Sequence, residues 1–343
     1  MLPNMPLQSN RNDMLRIFIS FIVCAYQSQA IDFFPTQQNA FIASTNELQL
    51  LWSDAIFTEG PAVAPDGSIY FSAIRTARIM RYDPVTAEIS TYRNNSGKSN
   101  GLMFDREGLL IACEGADYGG RRVSMTKKDG SIISLAERFE GKRFNSPNDL
   151  SILPNGRIYF TDPRYRGHEP REIDVEGIYF IDTDGTVKLA TDEIDKPNGI
   201  LISIDTKTAY LACFESMQTK KRQLAKFSIR SDGSFGDKEV LFDFGDRRGA
   251  DGMAIDTEGN IYAAAGVGKD AGIYIFSPTG EHLALLSMSK IGAVTNCQFG
   301  IGEDASTLYI TAAVEGKKRG RMGAFGLYKI KLKKKGYHPA TAQ

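Results

Sequence analysis

The chain has 343 residues, and its 41 lysines and arginines balance 41 aspartates and glutamates, so its formal net charge is zero. Proteins that bind nucleic acid through phosphates usually carry a basic excess. Here only the KIKLKKKG stretch near the C-terminus is basic, which argues against a nucleic-acid partner. The 42% of hydrophobic residues excludes a disordered chain, and 33 glycines against 13 prolines indicate many tight turns between short strands.

An apolar stretch near the N-terminus is typical of a secretory signal. Met14 is followed by Arg16, by the apolar run 17–25 and by the small-x-small cleavage pattern of residues 28–30. If translation starts at Met14, residues 14–30 are the expected signal. We expect residues 1–30 to be a targeting segment and the protein to be secreted or periplasmic. The alternative is a buried N-terminal strand or helix in a cytoplasmic protein. No stretch reaches the roughly 18 apolar residues of a membrane-spanning helix, so we expect no membrane association after signal removal.

Six segments of the remaining chain repeat one pattern. Each begins with a side chain that carries an oxygen, continues as an apolar strand, turns, and enters a second strand. The segments start at Glu59, Asn100, Asn148, Asn198, Asp251 and Asn296. Successive starts are separated by 41 to 53 residues, which is the length of one four-stranded propeller blade.

The turns within these repeats support the same interpretation. In four of them a glycine lies eight positions after the start and directly follows an acidic or amide residue. Such pairs are typical of hairpin turns. These glycines are Gly67, Gly108, Gly156 and Gly259. We therefore predict an all-β fold in which residues 31–343 form a single six-bladed β-propeller with four antiparallel strands per blade. The strand within 41–52 is expected to pair with the C-terminal blade, because closing the ring removes an exposed edge.

The first residue of each repeat is predicted to face the mouth of the central channel, since the first strand of a blade is the innermost one. Asn-Gly and Asp-Gly are also common turn dipeptides, an alternative that applies to Asn100, Asn198 and Asp251. That alternative is weaker for the other repeat starts. The strongest candidates for ligands of a common ion are Glu59, Asn148, Asn198 and Asp251.

Converging carboxylate and amide oxygens favour a hard cation. Ca²⁺ takes six to eight oxygen ligands, so four side chains leave positions for water and substrate. We predict Ca²⁺ at this site, with Mg²⁺, Mn²⁺ or Zn²⁺ as substitutes. Zinc is the least favoured of these, because its protein sites use histidine and cysteine and the chain has only three histidines.

Four motifs resemble those of the gluconolactonase, regucalcin and luciferin-regenerating enzyme family. They are TEGP (58–61), NSPNDL (145–150), KPNGI (196–200) and ADGMAID (250–256), and the resemblance extends over residues 48–332. It implies a six-bladed, metal-dependent enzyme, usually with Ca²⁺, that hydrolyses sugar lactones and related cyclic esters. It also implies that the four candidate ligands are the metal ligands. Diisopropyl fluorophosphatase has a similar fold and metal set, which leaves a phosphotriesterase-like hydrolase as an alternative.

Lactone opening needs an activated carbonyl and a water nucleophile. Asp251 is the first candidate for the general base, because it could contact both the ion and the water, and Asp149 is the second. Further polar residues of the repeat starts and of the loops between second and third strands are candidates for substrate binding. They are Asn100, Arg122, Tyr165, His168 and Asn296.

Two other classes of protein remain open at this point. One is a non-catalytic ligand-binding propeller, since a fold alone implies no activity. The other is a strictosidine-synthase-like propeller, which would need a different catalytic carboxylate. We expect a small-molecule lactone as the partner. The sequence leaves open which lactone it is, which ion is native, and whether the protein is a monomer or a dimer.

Overall fold

The structure, a computed structural model, describes residues 34–194, 196–214 and 222–339. The targeting segment predicted for residues 1–30 lies outside these ranges. Helical structure in the described ranges is limited to the single turn α1 (Gln38–Phe41) and to short 3₁₀ turns, which are Ile74–Thr76, Gly268–Asp270 and Gly302–Asp304. None of these helices is long and apolar enough to span a bilayer.

The strands of the described ranges form six four-stranded antiparallel sheets, which are the blades of a propeller. The first strand of the chain is β1 (Gln49–Ala55). Blade 1 contains β2 (Thr58–Val63), β3 (Ile69–Ala73), β4 (Arg78–Tyr82) and β5 (Ile89–Asn94). Blade 2 contains β6 (Ser99–Phe104), β7 (Leu110–Glu114), β8 (Arg122–Thr126) and β9 (Ile132–Ala136). A small hairpin, β10 (Arg138–Phe139) and β11 (Lys142–Arg143), precedes the next blade.

The second half of the ring repeats the same order of strands. Blade 3 contains β12 (Leu150–Ile152), β13 (Ile158–Thr161), β14 (Ile178–Ile181) and β15 (Val187–Thr191). Blade 4 contains β16 (Pro197–Ile202), β17 (Thr208–Phe214), β18 (Arg222–Ser228) and β19 (Glu239–Asp243). Blade 5 contains β20 (Ala250–Ile255), β21 (Ile261–Ala265), β22 (Gly272–Phe276) and β23 (His282–Ser287). Blade 6 contains β24 (Val294–Phe299), β25 (Thr307–Ala313), β26 (Phe325–Lys331) and β1.

Both ends of the propeller meet in blade 6. Strand β1 pairs antiparallel with β26, in a register that runs from Gln49 opposite Lys329 to Ala55 opposite Phe325. The N-terminal strand therefore closes the ring and covers the edge that β26 would otherwise expose. The predicted six-bladed architecture and its mode of closure are both confirmed.

Turn chemistry and aromatic packing explain why the repeats fold in this way. The predicted hairpin glycines adopt positive φ angles, for example 84° at Gly67 and 93° at Gly156, where other residues would be strained. Aromatic side chains of the second strands are buried between blades. Tyr262 of blade 5, for instance, meets the ring of Phe299 of blade 6 edge to face at 4.9 Å. Such contacts join each blade to the next.

The segment after β26 returns to the ring and buries a histidine. The Nε2 atom of His338 lies 3.1 Å from the carbonyl oxygen of Gly300. Burial lowers the pKa of this imidazole to about 4, from its ordinary value near 6.5. At neutral pH the folded protein therefore holds His338 in its neutral form.

We expect this burial to make the stability depend on pH. Below pH 6.5 the unfolded chain binds a proton that the folded chain excludes until about pH 4, so the free energy of unfolding falls over this window. The expected loss from this group between pH 7 and pH 4.5 is roughly 2 to 3 kcal/mol. Urea unfolding of wild type and His338→Gln at both pH values measures it. Equal losses of unfolding free energy in wild type and His338→Gln would contradict the attribution of this pH dependence to His338.

Candidate functional site

Irregular strands mark the mouth of the channel. In five blades the pairing of the two innermost strands shifts beside the first residue of the repeat. The shifts lie between Glu59 and Ala62, Ser99 and Leu102, Pro197 and Ile200, Ala250 and Met253, and Val294 and Asn296. In a regular strand successive side chains point to opposite faces of the sheet, and such β-bulges change the direction of the side chains beside them. They occur where the oxygen-bearing side chains of these blades stand.

The glycines that follow these residues are needed for close contact between blades. A Cβ atom on Gly199 would lie 2.1 Å from the backbone oxygen of Asp251 in the next blade. One on Gly252 would lie 1.9 Å from the amide carbon of Asn296. Both glycines lie within strands. The alternative that these dipeptides are simple turns is therefore wrong.

The channel mouth opens into a cavity of about 490 Å³. All four residues predicted to bind an ion line it, and they come from four different blades or their connections. They are Glu59, Asn148, Asn198 and Asp251. Asn148 precedes β12 rather than starting it, and backbone hydrogen bonds hold it: its N–H donates to Thr161 and its carbonyl accepts from Gly101.

The floor of the cavity brings like charges together. Glu59 and Asp251 are only 4% and 5% exposed. Burial, followed by repulsion from Asp251 and Asp149, raises the pKa of Glu59 well above its ordinary value. Burial also raises the pKa of Asp251, against the opposing effects of the Arg248 guanidinium and of a hydrogen bond from Asn198. One guanidinium thus faces two buried carboxyl groups.

The candidate ligand set is a mixture of carboxylates and amides. Within the ranges that the structure describes, no three His, Cys, Asp or Glu side chains form a cluster suited to a metal. Glu59 and Asp251 supply two carboxylates, and Asn148 and Asn198 supply amide oxygens. Such all-oxygen sets suit Ca²⁺ or a similar hard cation better than zinc.

Asp149 is placed differently from its neighbour Asn148. It lines a second, narrower cavity of about 30 Å³ further along the innermost strands. Burial raises the pKa of Asp149 to about 7, although its carboxylate accepts a hydrogen bond from the backbone N–H of Leu150 at 3.0 Å. The second candidate base therefore opens on the channel and not on the large cavity, which corrects its expected position.

The candidate substrate-binding residues divide into two groups. Asn100 and Tyr165 line the large cavity, whereas Arg122, His168 and Asn296 are not among its lining residues in the described part of the chain. This corrects the positions expected for those three.

Each of the three has other contacts. The Nε atom of Arg122 donates to the buried Glu114 carboxylate at 2.8 Å. His168 is exposed and stacks on Tyr118, with ring centroids 3.8 Å apart. Asn296 lines the narrow channel.

Arg248 is the main feature of the site that the sequence analysis missed. Its guanidinium lines the cavity, contacts the Asp251 carboxylate and donates to the backbone oxygen of Val294 at 2.9 Å. A signal was available, because Arg248 lies three residues before Asp251, just ahead of the ADGMAID motif. Other cationic residues also line the cavity, and the repeat pattern did not single them out.

Comparison with known proteins places this geometry in a family. The profile of the SMP-30/Gluconolactonase/LRE-like region matches residues 57–314. A gluconolactonase of Zymomonas mobilis is 28% identical over 305 residues, covering 82% of this chain and 83% of its own. A pentonolactonase of Haloferax volcanii is 26% identical over 259 residues, covering 74% and 81%.

Solved structures share the fold. A gluconolactonase from Xanthomonas campestris superposes with a TM-score of 0.71 at 24% identity, covering 84% of this chain and 90% of its own. A calcium-binding regucalcin from Agrobacterium tumefaciens superposes with a TM-score of 0.68 at 20% identity, covering 85% and 96%. Because the family profile spans about three quarters of the sequence, the chain belongs to the SMP-30/gluconolactonase/LRE-like family.

Proposed function

We propose that this protein is a metal-dependent lactonase that opens a sugar lactone of the gluconolactone type. The observation that carries the proposal is the convergence of Glu59, Asn148, Asn198 and Asp251 on one cavity. Relatives named gluconolactonase and pentonolactonase, which match over about three quarters or more of this chain, support the reaction class.

The residues present fit a divalent cation. Glu59 and Asp251 are buried together, burial raises the pKa of both, and repulsion from Asp251 and Asp149 raises the pKa of Glu59 further. A cation held by these two carboxylates and by the amide oxygens of Asn148 and Asn198 would relieve that repulsion. We propose Ca²⁺ as the ion, with Mg²⁺, Mn²⁺ or Zn²⁺ as substitutes. The regucalcin structure described as calcium-binding is consistent with this choice.

When bound, the ion would supply Lewis-acid polarisation of the ester carbonyl. Asp251 is then placed to take a proton from the attacking water, because its carboxylate faces the cavity and is held by Arg248 and Asn198. Water adds to the carbonyl carbon, the ring C–O bond breaks, and the proton passes to the departing ring oxygen. The product is a hydroxy acid, in which the new carboxyl group and the new hydroxyl group belong to the same molecule.

Other walls of the cavity would position the sugar ring. Phe57 and Phe325 form an apolar side, with ring centroids 4.7 Å apart. Asn100 and Tyr165, which both have polar side-chain groups, line the same space. We propose that these two side chains form hydrogen bonds with substrate hydroxyls.

Metal removal tests the proposal. We expect chelation to lower the rate of D-glucono-1,5-lactone hydrolysis by about 100-fold or more, since several kcal/mol of charge stabilisation is lost. Added Ca²⁺ should restore the rate and stabilise the fold, by about 2.7 kcal/mol at 100 times its Kd. Proton release measures the rate of hydrolysis. Thermal unfolding measures the stabilisation by Ca²⁺, and elemental analysis measures the metal content.

Matched variants locate the effect. Glu59→Gln should lose both calcium stabilisation and turnover, whereas Glu88→Gln, the same change at an exposed turn, should lose neither. Lactone turnover that persists without any metal would contradict the metal requirement. Calcium binding without lactone turnover would contradict the reaction and favour a phosphotriesterase-like or purely binding function.

A further inference from the structure

Cationic side chains are in excess around the cavity. Among the residues that the structure describes, three carboxyl groups line it, those of Glu59, Asp117 and Asp251. Five cationic residues of the same ranges line this space, and they are Arg75, Lys98, Arg166, Arg248 and Arg319. The whole chain has no net charge. The positive excess is therefore a local property of this cavity.

Two of the five cations face a carboxylate. Arg248 contacts Asp251, and an Nη1 atom of Arg75 lies 3.8 Å from the Asp117 carboxylate, near the limit for an ion pair. The other three, Lys98, Arg166 and Arg319, form no ion pair within the described ranges. We name these three residues the cationic rim.

The hydrogen bonds that the rim residues form with other described residues go to backbone carbonyl groups and do not neutralise their charge. Lys98 donates to the carbonyl oxygen of Arg75 at 3.2 Å, and Arg319 donates to that of Gly292 at 2.7 Å. Arg166 is exposed at the cavity edge. The rim residues come from three parts of the ring: the entry to blade 2, a loop of blade 3 and a loop of blade 6. Three different parts of the ring therefore contribute positive charge to the cavity.

The buried and the exposed charges of the cavity differ in sign, apart from Asp117, which faces Arg75. The carboxylates of Glu59 and Asp251 are buried at the floor, while Arg166 and Arg319 are exposed at the opening. A cation bound at the floor would make the total charge of the cavity more positive still. Clefts with one sign of charge concentrate ligands of the opposite sign.

We propose that the substrate is an anionic lactone, one that carries a carboxylate or phosphate at the end remote from the ester carbonyl. This inference rests on the proposed lactonase function and narrows its substrate class. The ester carbonyl lies at the floor, beside Asp251, and the acidic group lies at the cationic rim. The cavity, at about 490 Å³, has the size of ordinary small-molecule sites.

A matched pair of substrates tests the proposal. D-glucaro-1,4-lactone and D-glucono-1,4-lactone differ only in a carboxylate or hydroxymethyl group at C6. We expect kcat/KM to be at least about 10-fold higher for the glucarolactone at low salt, because its carboxylate can accept charge-assisted hydrogen bonds from the cationic rim. This preference should shrink at 0.5 M NaCl, because salt screens exposed charges. Comparing 6-phospho-D-glucono-1,5-lactone with D-glucono-1,5-lactone shows whether phosphate is preferred to carboxylate.

Variants of the rim connect the preference to these residues. In the triple variant Lys98→Gln, Arg166→Gln, Arg319→Gln, the kcat/KM ratio of charged to neutral lactone should fall about 10-fold or more, and in each single variant about 2- to 5-fold. Lys128→Gln, the same change at an exposed turn outside the cavity, should leave the ratio unchanged. A wild type without preference for either anionic lactone, or a triple variant that keeps the preference, would overturn the proposal.

A binding measurement separates this proposal from the lactonase function itself. If no lactone is hydrolysed, the proposed function fails, but calorimetry with D-glucarate and with neutral D-glucitol still tests the rim. Stronger binding of glucarate that is lost in the triple variant supports the anion site. Equal binding of both compounds, or none of either, overturns it.

Discussion

Asp251→Asn is expected to lower kcat for lactone hydrolysis by about 10³-fold while leaving the protein folded. Loss of a general base typically costs 10² to 10⁴ in rate, and the amide cannot accept a proton from the attacking water. Because asparagine keeps one oxygen in the same place, the variant should retain part of its calcium binding. Asp251→Ala should abolish both turnover and calcium stabilisation. Initial rates by proton release and calcium titration by calorimetry measure the two effects.

The control for this prediction is Asp237→Asn, the same change at an exposed residue outside the cavity. It should retain wild-type kcat and calcium affinity. Normal turnover in Asp251→Asn would exclude Asp251 as the base. Asp251→Asn also removes the charged partner of the Arg248 guanidinium.

Gly199→Ala should destabilise the propeller by about 3 kcal/mol or more. The new Cβ atom would lie 2.1 Å from the backbone oxygen of Asp251 and 3.1 Å from its carbonyl carbon. Overpacking typically costs 1 to 3 kcal/mol, and a backbone atom of the next blade cannot rotate away. Urea unfolding measures the loss. Because the displaced backbone carries Asp251, kcat should also fall at temperatures where the variant is fully folded.

Gly177→Ala provides the comparison. There the nearest atom to the new Cβ is Cδ1 of Leu189 at 2.9 Å, the end of a flexible side chain. A clearly smaller loss of stability and little change in kcat are expected. A Gly199→Ala protein within 1 kcal/mol of wild type would show that adjacent blades can separate, contrary to the close packing described above.

Much of the fold was predictable because it is repetitive. A period of 41 to 53 residues and hairpin glycines such as Gly67 identify the blade through local turn chemistry alone. The pairing of β1 with β26 followed from the need to cover an edge. The convergence of Glu59, Asn148, Asn198 and Asp251 was predictable for the same reason, since equivalent positions in a ring face a common axis.

The loops around the cavity were not predictable in this way, because they follow no repeat. Arg122 was expected at the cavity but bonds to Glu114 within its own blade. Arg166, two residues before the candidate His168, reaches the cavity instead. Which loop side chain reaches the centre depends on loop conformation, and loop conformation has no periodic signal in the sequence.

The sequence by itself determined the number of blades, the closure of the ring and the four oxygen-bearing residues at its mouth. Only the tertiary structure decided that Asn148 and Asp149 open on different cavities, and that Gly199 and Gly252 serve contacts between blades. It also decided that Arg248 and the cationic rim line the same cavity as the carboxylates. The reason is that local pattern determines the strands of each blade, whereas distances between blades and the paths of loops arise only when the ring is assembled.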